Sequence, residues 1–317
     1  MEKYITSITE AIGNTHLLRL DKLANELKYD GEIYVKLEHM NPTFSKKDRI
    51  ALGMIEIAEQ KGLLKPGQPV LEVTSGNTGI GLALVCAAKG YRFICLMSVG
   101  NSVERRKMIE ALGGELVLVD QAPGALPGKV SNDDLVMVEQ EAERIVKETG
   151  AYYVNQFHNE ANSVSQEIAG EEIWQQTEGQ IDAFADFVGT GGTFAGYARA
   201  LKARNPAIHC YVVEPEGCAY YKDEIIPGAT HGIQGGGYAK HVENVERKNI
   251  DGSVTVNDDD AVDMTRKLAA LEGIFAGPSS GANVAAAVKL LSGPEKGKKV
   301  ATVINDCGLK YMSTDLF

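Results

Sequence analysis

The chain has 317 residues, a length that predicts one large domain or two domains of ordinary size. Its residues are 44% hydrophobic and 24% charged, which is typical of a globular protein whose core needs no disulfide or metal. The 32 basic and 43 acidic residues give a net charge of −11, which argues against a nucleic acid or an anionic membrane as partner but not against a small anionic ligand.

The N-terminal segment, MEKYITSITEAIGNTHLLRL, lacks the apolar run and the small-residue cleavage site of a signal peptide. No later run approaches the ~20 apolar residues of a membrane span. The five cysteines are scattered without a CxxC pair, and the six histidines show no metal-ligand spacing. We therefore expect a cytoplasmic protein with neither a disulfide framework nor a metal site.

The segment NPTFSKKDRIALGM, residues 41–54, places Lys46 and Lys47 at the start of a predicted helix. Neighbouring residues on a helix point about 100° apart, so the two lysines cannot share one environment. One can be a solvated surface charge while the other turns inward. The alternative is that both are surface charges, because lysine is seldom buried without a partner or a task.

From residue 69 onward, apolar strand runs alternate with helical segments. Strands are predicted over 69–74, 92–98, 115–119, 182–188, 209–215 and 298–306, and helices over 80–90, 102–114 and 194–203. This alternation predicts βαβ units, and hence an α/β fold with parallel sheets covered on both faces. Residues 121–134 read as a surface loop. The aperiodic segment 215–239 is too long for a plain connection and is expected to be functional.

Three turns rich in small residues precede predicted helices. GTGGT, residues 189–193, allows close backbone approach and adds two threonine hydroxyls, which suits a phosphate at a helix N-terminus. It lacks the GK[ST] ending of a Walker A loop and the GxGxxG spacing of a dinucleotide site, so the phosphate is expected to belong to a tightly held cofactor. A plain strand-to-helix turn is the alternative.

The other two turns are TSGNTG, residues 74–79, and GPSSGANVAAA, residues 277–287. The first supplies hydroxyl, amide and backbone donors that suit a carboxylate. The second places Ser279 and Ser280 at a helix start, where simple N-capping is the alternative role. A lysine, a phosphate site, a carboxylate site and no metal cluster together indicate Schiff-base chemistry on pyridoxal phosphate.

With these motifs, the sequence resembles the cysteine synthase and cystathionine β-synthase family of fold-type II pyridoxal-phosphate enzymes. The likeness runs from IGNTHLLRL (12–20) to GLKYMSTDLF (308–317). It implies two doubly wound three-layer α/β domains like those of the tryptophan synthase β subunit. A small substrate-carboxylate domain would span 41–155, and a large domain binding the cofactor phosphate would span 156–317 with 1–40. A regulatory tail of the cystathionine β-synthase kind is not expected.

The resemblance also implies roles for individual residues. The family's Schiff-base lysine stands directly before Asp-Arg in SxKDR, which makes it Lys47 here, while Lys46 falls where an apolar residue is usual and is interpreted as a solvated neighbour. The substrate carboxylate would be bound by Gln156 and by the loop of Thr74, Ser75, Gly76, Asn77 and Thr78. The cofactor would be bound through its ring oxygen by Asn77, through its pyridine nitrogen by Ser279, and through its phosphate by Gly189, Thr190, Gly191, Gly192 and Thr193.

Several positions depart from the usual family pattern. MSVGNSVERR stands where MPxxMSxERR is usual, so Asn101 replaces a methionine near the reacting carbon. Phe187 replaces a small residue before the phosphate loop, and NDCG, with Asn305 and Cys307, replaces PDSG. A polar Asn101 would favour water or an amino-thiol over bare sulfide as nucleophile. Neutral drift with local repacking is the alternative at each of these positions.

The implied reaction is β-replacement through an enzyme-bound α-aminoacrylate, with the Lys47 amine taking the α-proton. The favoured activity is cysteine synthesis from O-acetylserine and sulfide, by a homodimer. The alternative consumes cysteine and releases hydrogen sulfide, with water or a thiol as acceptor. A catalytically silent binding homologue and a nucleotide-binding module are rivals, disfavoured by the complete residue set and by the missing nucleotide motifs respectively.

Overall fold

The fold is described from a computed structural model, which describes residues 4–99, 103–123 and 132–317. In chain order the strands are β1 Leu17–Arg19, β2 Gly31–Lys36, β3 Val70–Val73, β4 Phe93–Ser98, β5 Glu115–Val119, β6 Tyr152–Tyr153, β7 Ala183–Phe187, β8 His209–Pro215, β9 Cys218–Ala219, β10 Glu224–Ile225, β11 Gly252–Val256 and β12 Lys298–Val303.

The helices are α1 Asp21–Leu27, α2 Lys47–Gln60, α3 Asn77–Lys89, α4 Val103–Ala111, α5 Asn132–Thr149, α6 Ala161–Val164, α7 Glu167–Gln176, α8 Gly192–Arg204, α9 Asp258–Lys267 and α10 Pro278–Leu291. Short 3₁₀ turns cover Ile8–Ala11, Glu38–Met40, Arg247–Asn249 and Gly308–Tyr311, and a π-helical turn covers Leu268–Glu272. No helix in these described ranges is long and apolar enough to cross a membrane.

The chain divides into two units. The first comprises the segment that ends at Ile12 together with Lys47–Ala161, and the second comprises Gly13–Lys46 and Asn162–Phe317. The ranges proposed from the sequence, 41–155 and 156–317 with 1–40, place the divisions a few residues earlier and assign the N-terminal segment to the other unit. Ile12 packs against the core of the first unit, which accounts for the assignment of its segment.

The first unit is built on a four-stranded parallel sheet in the order β5-β4-β3-β6. Side chains of the central strand β4 alternate between the two faces, as a strand requires. Phe93 and Cys95 join a cluster with residues of α2 and α3, whereas Ile94 and Leu96 join a second cluster with residues of α5. Every residue of β4 is buried, because helices cover both faces of the sheet.

The second unit is built on a six-stranded sheet in the order β1-β2-β12-β7-β8-β11, in which β1 alone is antiparallel to its neighbour. Its central strand β7 alternates in the same way. Ala183, Ala185 and Phe187 pack with α1, α9 and α10, whereas Phe184 packs with α7 and α8. The short strands β9 and β10 form a separate antiparallel pair.

The predicted α/β fold is confirmed, with parallel sheets covered on both faces. The six predicted strands correspond to β3, β4, β5, β7, β8 and β12, with ends shifted by up to three residues. Residues 124–131 of the predicted loop 121–134 lie outside the described residues, and α5 already begins at Asn132.

Candidate active site

The predicted carboxylate loop connects β3 to α3 in the first unit. Thr74 directly follows β3, its N–H donates to Leu96 O at 3.0 Å, and its Oγ1 accepts from the N–H of Gly76 at 3.2 Å. Gly76 is the N-cap of α3, and no side chain caps that helix. The helix N-terminus therefore offers backbone donors and a positive dipole end, which suit an anion.

Gln156 lies beside this loop because β6, which precedes it, pairs with β3. The Thr78 hydroxyl donates to Gln156 Oε1 at 2.7 Å, and both side chains are buried. The structure thus brings together the carboxylate residues that were predicted from two distant parts of the sequence.

The sequence analysis did not identify Glu72, a buried carboxyl group on β3 just before the carboxylate loop. Glu72, on β3, is 1% exposed, and its Oε2 has no hydrogen-bond partner among the described residues. Burial raises the pKa of Glu72 to about 8, although its polar surroundings near Gln156 act in the opposite direction. The available signal in the sequence was a single acidic residue within an otherwise uncharged strand run, PVLEVT.

Lys47 is the first residue of α2, and it is partly exposed. Helices α2 and α3 pack closely here: a Cβ added to Gly81 would lie 3.0 Å from the Lys47 carbonyl oxygen and 3.2 Å from the Ala51 Cβ. Glycine at 81 therefore lets the lysine-bearing helix approach the helix of the carboxylate loop.

Lys46 is not the solvated neighbour that the sequence analysis expected. It belongs to the second unit, it is 9% exposed, and its Nζ lies 3.1 Å from Asp186 Oδ1. Asn283 Nδ2 donates to the same carboxylate oxygen at 3.2 Å. The expectation failed because it treated Lys46 alone, whereas an acidic partner 140 positions along the chain compensates the buried charge.

The predicted phosphate loop lies in the second unit, between β7 and α8. Gly191 has a φ of +82° and is the N-cap of α8, which has no side-chain cap. A Cβ at Gly192 would lie 1.9 Å from Asn162 Oδ1, and one at Gly189 would lie 2.4 Å from Gly235 O. The close surroundings therefore require glycine at these positions.

Two asparagines that were not predicted hold this loop. Asn162 Nδ2 donates to Thr190 Oγ1 at 3.0 Å, and Asn244 Nδ2 donates to Thr190 O at 2.9 Å. The aperiodic segment 215–239 also contributes, because the N–H of Gly237 donates to Val188 O at 3.0 Å, directly before the loop. Nothing in the local sequence around either asparagine marked it for this role.

Ser279 lies in the first turn of α10 and is buried. Asn305 donates a hydrogen bond to each serine of the SSG motif. Its Nδ2 donates to Ser279 Oγ at 3.1 Å, and its backbone N–H donates to Ser280 Oγ at 2.9 Å. Its Oδ1 is buried without a partner among the described residues. Asn305, noted in the sequence only as a departure from proline, therefore contacts a predicted cofactor residue.

Of the other three positions that depart from the family pattern, the structure describes Phe187 and Cys307. Asn101 lies outside the described residues. The backbone N–H of Phe187 donates to Asn283 Oδ1 at 2.6 Å, and Phe187 and Cys307 are both buried. All five cysteines are unpaired and buried.

The residues present fit pyridoxal phosphate. In the first unit, Lys47 supplies an amine, and the N-terminus of α3 supplies backbone donors that suit an anion. In the second unit, the glycine turn ends at the N-terminus of α8, which has no side-chain cap and suits a phosphate, and Ser279 supplies a neutral hydroxyl beside an unpartnered amide oxygen. Among the described residues, no group of three or more His, Cys, Asp or Glu side chains is arranged to hold a metal ion.

Comparisons with known proteins agree with this donor set. The family model described as pyridoxal-phosphate dependent enzyme matches residues 8–306. Cysteine synthase of Staphylococcus aureus is 41% identical over 320 residues, covering 100% of this chain and 98% of the relative. Among solved structures, O-acetyl serine sulfhydrylase isoform 3 of Entamoeba histolytica superposes with a TM-score of 0.91 at 33% identity, covering 100% of this chain and 92% of that one.

A hydrogen sulfide-producing enzyme of Fusobacterium nucleatum superposes with a TM-score of 0.86 at 36% identity, covering 98% of this chain and 100% of that one. The family match and the full-length identity confirm the resemblance seen in the sequence motifs. The chain belongs to the family of pyridoxal-phosphate-dependent enzymes.

Proposed function

We propose that this protein catalyses β-replacement of the cysteine synthase type, forming cysteine from O-acetylserine and sulfide. One observation carries the proposal: the first unit holds the amine of Lys47 and the predicted carboxylate loop on two closely packed helices, with Thr78 and Gln156 hydrogen-bonded at 2.7 Å. An amino acid is the substrate class that needs both. The similarity to cysteine synthases over the whole chain supports the same reaction.

Each residue then has a defined task. Pyridoxal phosphate, when bound, supplies an electron-withdrawing ring that makes the α-hydrogen of an amino acid acidic. Lys47 would hold the cofactor in its resting state and, when its amine is released, take the α-proton at Nζ. The loop from Thr74 to Thr78, with Gln156, would hold the substrate carboxylate, and Asn77 would also contact the cofactor's ring oxygen.

The second unit would hold the cofactor's phosphate and ring. Thr190, Thr193 and the glycines of the loop would bind the phosphate through hydroxyl and backbone donors. Ser279 would hydrogen-bond the pyridine nitrogen. Because its hydroxyl is neutral, it would stabilise a protonated ring less than a carboxylate does, which favours loss of a β leaving group over transamination.

A second activity warrants a direct assay because of the similarity to a hydrogen sulfide-producing enzyme. In that reaction cysteine is the donor, sulfide leaves, and water or another thiol takes its place. Asn101, at the position where the family has methionine, would orient such a polar acceptor through its amide. Asn101→Met is then expected to lower sulfide release relative to cysteine synthesis by about fivefold, the value of one hydrogen bond. An unchanged ratio would contradict the role of Asn101.

One assay tests the main proposal. The purified protein, loaded with pyridoxal phosphate, is incubated with O-acetylserine plus sulfide and separately with cysteine alone, and the products are identified. Cysteine formed in the first incubation at a much higher rate than sulfide in the second supports synthesis. The reverse ratio favours the cysteine-consuming reaction, and the absence of both products from a protein that binds the cofactor would overturn both.

We further propose that the protein works as a cytoplasmic homodimer with no nucleic-acid or membrane partner. The family resemblance supports the dimer, and the five unpaired cysteines support a reducing compartment. Light scattering on the loaded protein tests the first point, since a molar mass near 34.1 kDa would indicate a monomer. Cell fractionation tests the second.

A further inference from the structure

The second unit contains a cavity of about 220 Å³ that shares no residue with the candidate active site. It is lined by one tyrosine and by residues at or just after the 3₁₀ turn Arg247–Asn249, namely Tyr221, Arg247, Ile250, Asp251, Gly252 and Ser253. Cavities that bind drug-sized ligands have volumes of about 300–1,000 Å³, so this one suits a smaller molecule.

The Arg247 guanidinium in this cavity is held by aromatic rings. Its Cζ lies 5.5 Å from the ring centre of Tyr220 and 5.8 Å from that of Tyr221, which is within the range of cation–π contacts. In the described part of the chain no acidic side chain pairs with Arg247, and the carboxylate of the adjacent Glu246 contacts other basic residues. A cation–π contact does not use the N–H donors, so the guanidinium can still bind a carboxylate with two parallel hydrogen bonds.

Asp251 supplies the opposite charge. Its Oδ2 lies 2.6 Å from Lys202 Nζ and accepts from the Cys210 N–H at 2.7 Å. Both contacts are made by the same oxygen, so they orient the carboxylate while Oδ1 keeps its capacity to accept from a further donor. The Asp251 side chain is 33% exposed, which lets a ligand reach it.

The cavity therefore carries one positive and one negative side chain. An anion would be attracted by Arg247 but repelled by Asp251, and it would also meet the net charge of −11 of the chain. A cation would meet the reverse pair of forces. A small zwitterion, with a carboxylate and an ammonium group a few bonds apart, is attracted by both side chains.

The backbone of the cavity adds hydrogen-bonding groups. Gly252 and Ser253 begin β11, which is an outer strand of the six-stranded sheet. The outer edge of such a strand presents N–H and C=O groups that a ligand can use.

We propose that this cavity binds a small free amino acid as the zwitterion, with its carboxylate on Arg247 and its ammonium group on Asp251. The inference goes beyond the proposed function, because it assigns a second ligand site. The segment that leads to Arg247 also packs against the phosphate loop, since a Cβ at Gly191 would lie 2.5 Å from Val245 Cγ2. The occupant would therefore contact a segment that supports the proposed cofactor site.

L-Proline is the probe, because its secondary amine cannot form a neutral imine with the aldehyde of the cofactor. It is titrated into the protein loaded with pyridoxal phosphate and labelled with nitrogen-15 in arginine. The NMR signal of Arg247 Nε, assigned by its loss in Arg247→Gln, is expected to shift saturably at millimolar concentrations. The Nε signal of Arg92 is the matched control. Its guanidinium already contacts Glu115 at 2.6 and 2.7 Å, so it should not move.

Two analogues carry the ring of proline with only one of its charges. Cyclopentanecarboxylate keeps the carboxylate, and pyrrolidine keeps the ammonium group. Each is expected to bind at least about fivefold more weakly than L-proline, because the hydrogen bonds of one charged group are lost. Equal affinity for L-proline and either analogue would overturn the zwitterion site. The absence of a saturable Arg247 shift with L-proline, or an equal shift of Arg92, would also overturn it.

Asp251→Asn tests the second half of the site. The variant keeps an oxygen that can accept from the Cys210 N–H but has no charge for the ammonium group. The ratio of the affinity for L-proline to that for cyclopentanecarboxylate is expected to fall to about one, a change in selectivity that a purely structural role of Asp251 would not produce. An unchanged ratio would overturn the proposal. If this variant does not fold, the analogues decide with the wild type alone, and none of these measurements depends on the reaction that the protein catalyses.

Discussion

The Nζ of Lys46 lies 3.1 Å from Asp186 Oδ1, and the side chains of both residues are almost fully withdrawn from solvent. Asp186 lies on β7, three residues before the phosphate loop, and Lys46 directly precedes the lysine that we expect to hold the cofactor. The backbone N–H of Lys46 also donates to Asn305 O at 2.9 Å. A buried ion pair therefore anchors the segment that leads into α2 to the interior of the second unit.

Breaking this ion pair from one side is expected to be costly. Lys46→Met would leave the Asp186 carboxylate buried without its cation, and we expect the free energy of unfolding to fall by about 3 kcal/mol. In the double variant Lys46→Met/Asp186→Asn no charge remains, and the amide introduced at position 186 can still contact Asn283, so most of this loss should be recovered. Urea unfolding measures both variants.

The control for this pair lies on the surface. Lys267 and Asp263 form an i,i+4 ion pair on α9, and their side chains are 34% and 60% exposed. Lys267→Met is expected to change the free energy of unfolding by less than about 1 kcal/mol, because solvent screens an exposed pair. A Lys46→Met variant as stable as the Lys267→Met variant would show that the buried ion pair contributes nothing.

The two adjacent lysines should differ in their reaction with the cofactor. The Nζ of Lys46 lies 3.1 and 3.2 Å from the two carboxylate oxygens of Asp186, so it is already directed at a protein partner and is unsuited to the task. Lys47→Ala is expected to abolish the visible absorbance of the bound cofactor, and Lys46→Met to retain it in the fraction that folds. Retained absorbance in Lys47→Ala that survives dialysis against a primary amine would refute the assignment to Lys47.

Glu72 should make the stability of the fold depend on pH. Its folded-state pKa of about 8 is higher than the ordinary value of 4.5, so between these values the folded protein keeps a proton that the unfolded chain has lost. Stability from this group therefore falls as pH rises from about 5 to 8. Each pH unit removes at most about 1.4 kcal/mol.

Glu72→Gln removes this dependence because an amide does not titrate. Relative to the wild type, the variant should become progressively more stable from pH 5 to pH 8, as measured by urea unfolding at four pH values. Glu216→Gln, at an exposed position, should follow the wild-type profile. A constant difference between Glu72→Gln and the wild type would mean that Glu72 is already ionised in the folded protein.

The sequence predicted the strands formed by predominantly apolar runs, including β5, which is partly exposed, and it predicted the glycine turns that follow β3 and β7. It did not identify β2 and β11, GEIYVK and GSVTV, because their polar residues interrupt the apolar pattern. In β2 the interruption is explained by pairing: Lys36 is fully buried, and its Nζ lies 2.6 Å from Glu172 Oε2, a partner on α7. Such a partner, far away in sequence, leaves no local signal.

The same limit applies to the candidate site. Residues in motifs, such as Lys47 and the glycines of GTGGT, follow from local spacing and from the family resemblance. Asn162 and Asn244 do not, because each contacts Thr190 from a different part of the chain. The expectation that Lys46 is solvated was wrong for the same reason, because its burial is explained by the ion pair with Asp186, which is distant in sequence.

Asn305 provides the last prediction, because its Nδ2 donates to Ser279 Oγ at 3.1 Å. A hydroxyl oxygen that accepts in this way directs its own proton elsewhere, and we expect it to be donated to the pyridine nitrogen of the bound cofactor. The ring nitrogen would then stay unprotonated. Asn305→Asp keeps the size of the side chain but replaces the donor with an acceptor, so the Ser279 proton should turn towards the carboxylate and the ring nitrogen should become protonated.

The nitrogen NMR shift of pyridoxal phosphate labelled at the ring nitrogen reports this change directly, with the protein loaded and without substrate. The wild type is expected to show the shift of an unprotonated pyridine, and Asn305→Asp a shift moved towards that of the protonated ring. Asn305→Ala, which neither donates nor accepts, should lie between them and should bind the cofactor about fivefold more weakly, the effect of one lost hydrogen bond. If all three proteins give the protonated shift, Ser279 accepts from the ring instead, and Asn305 supports the fold rather than the electronic state of the cofactor.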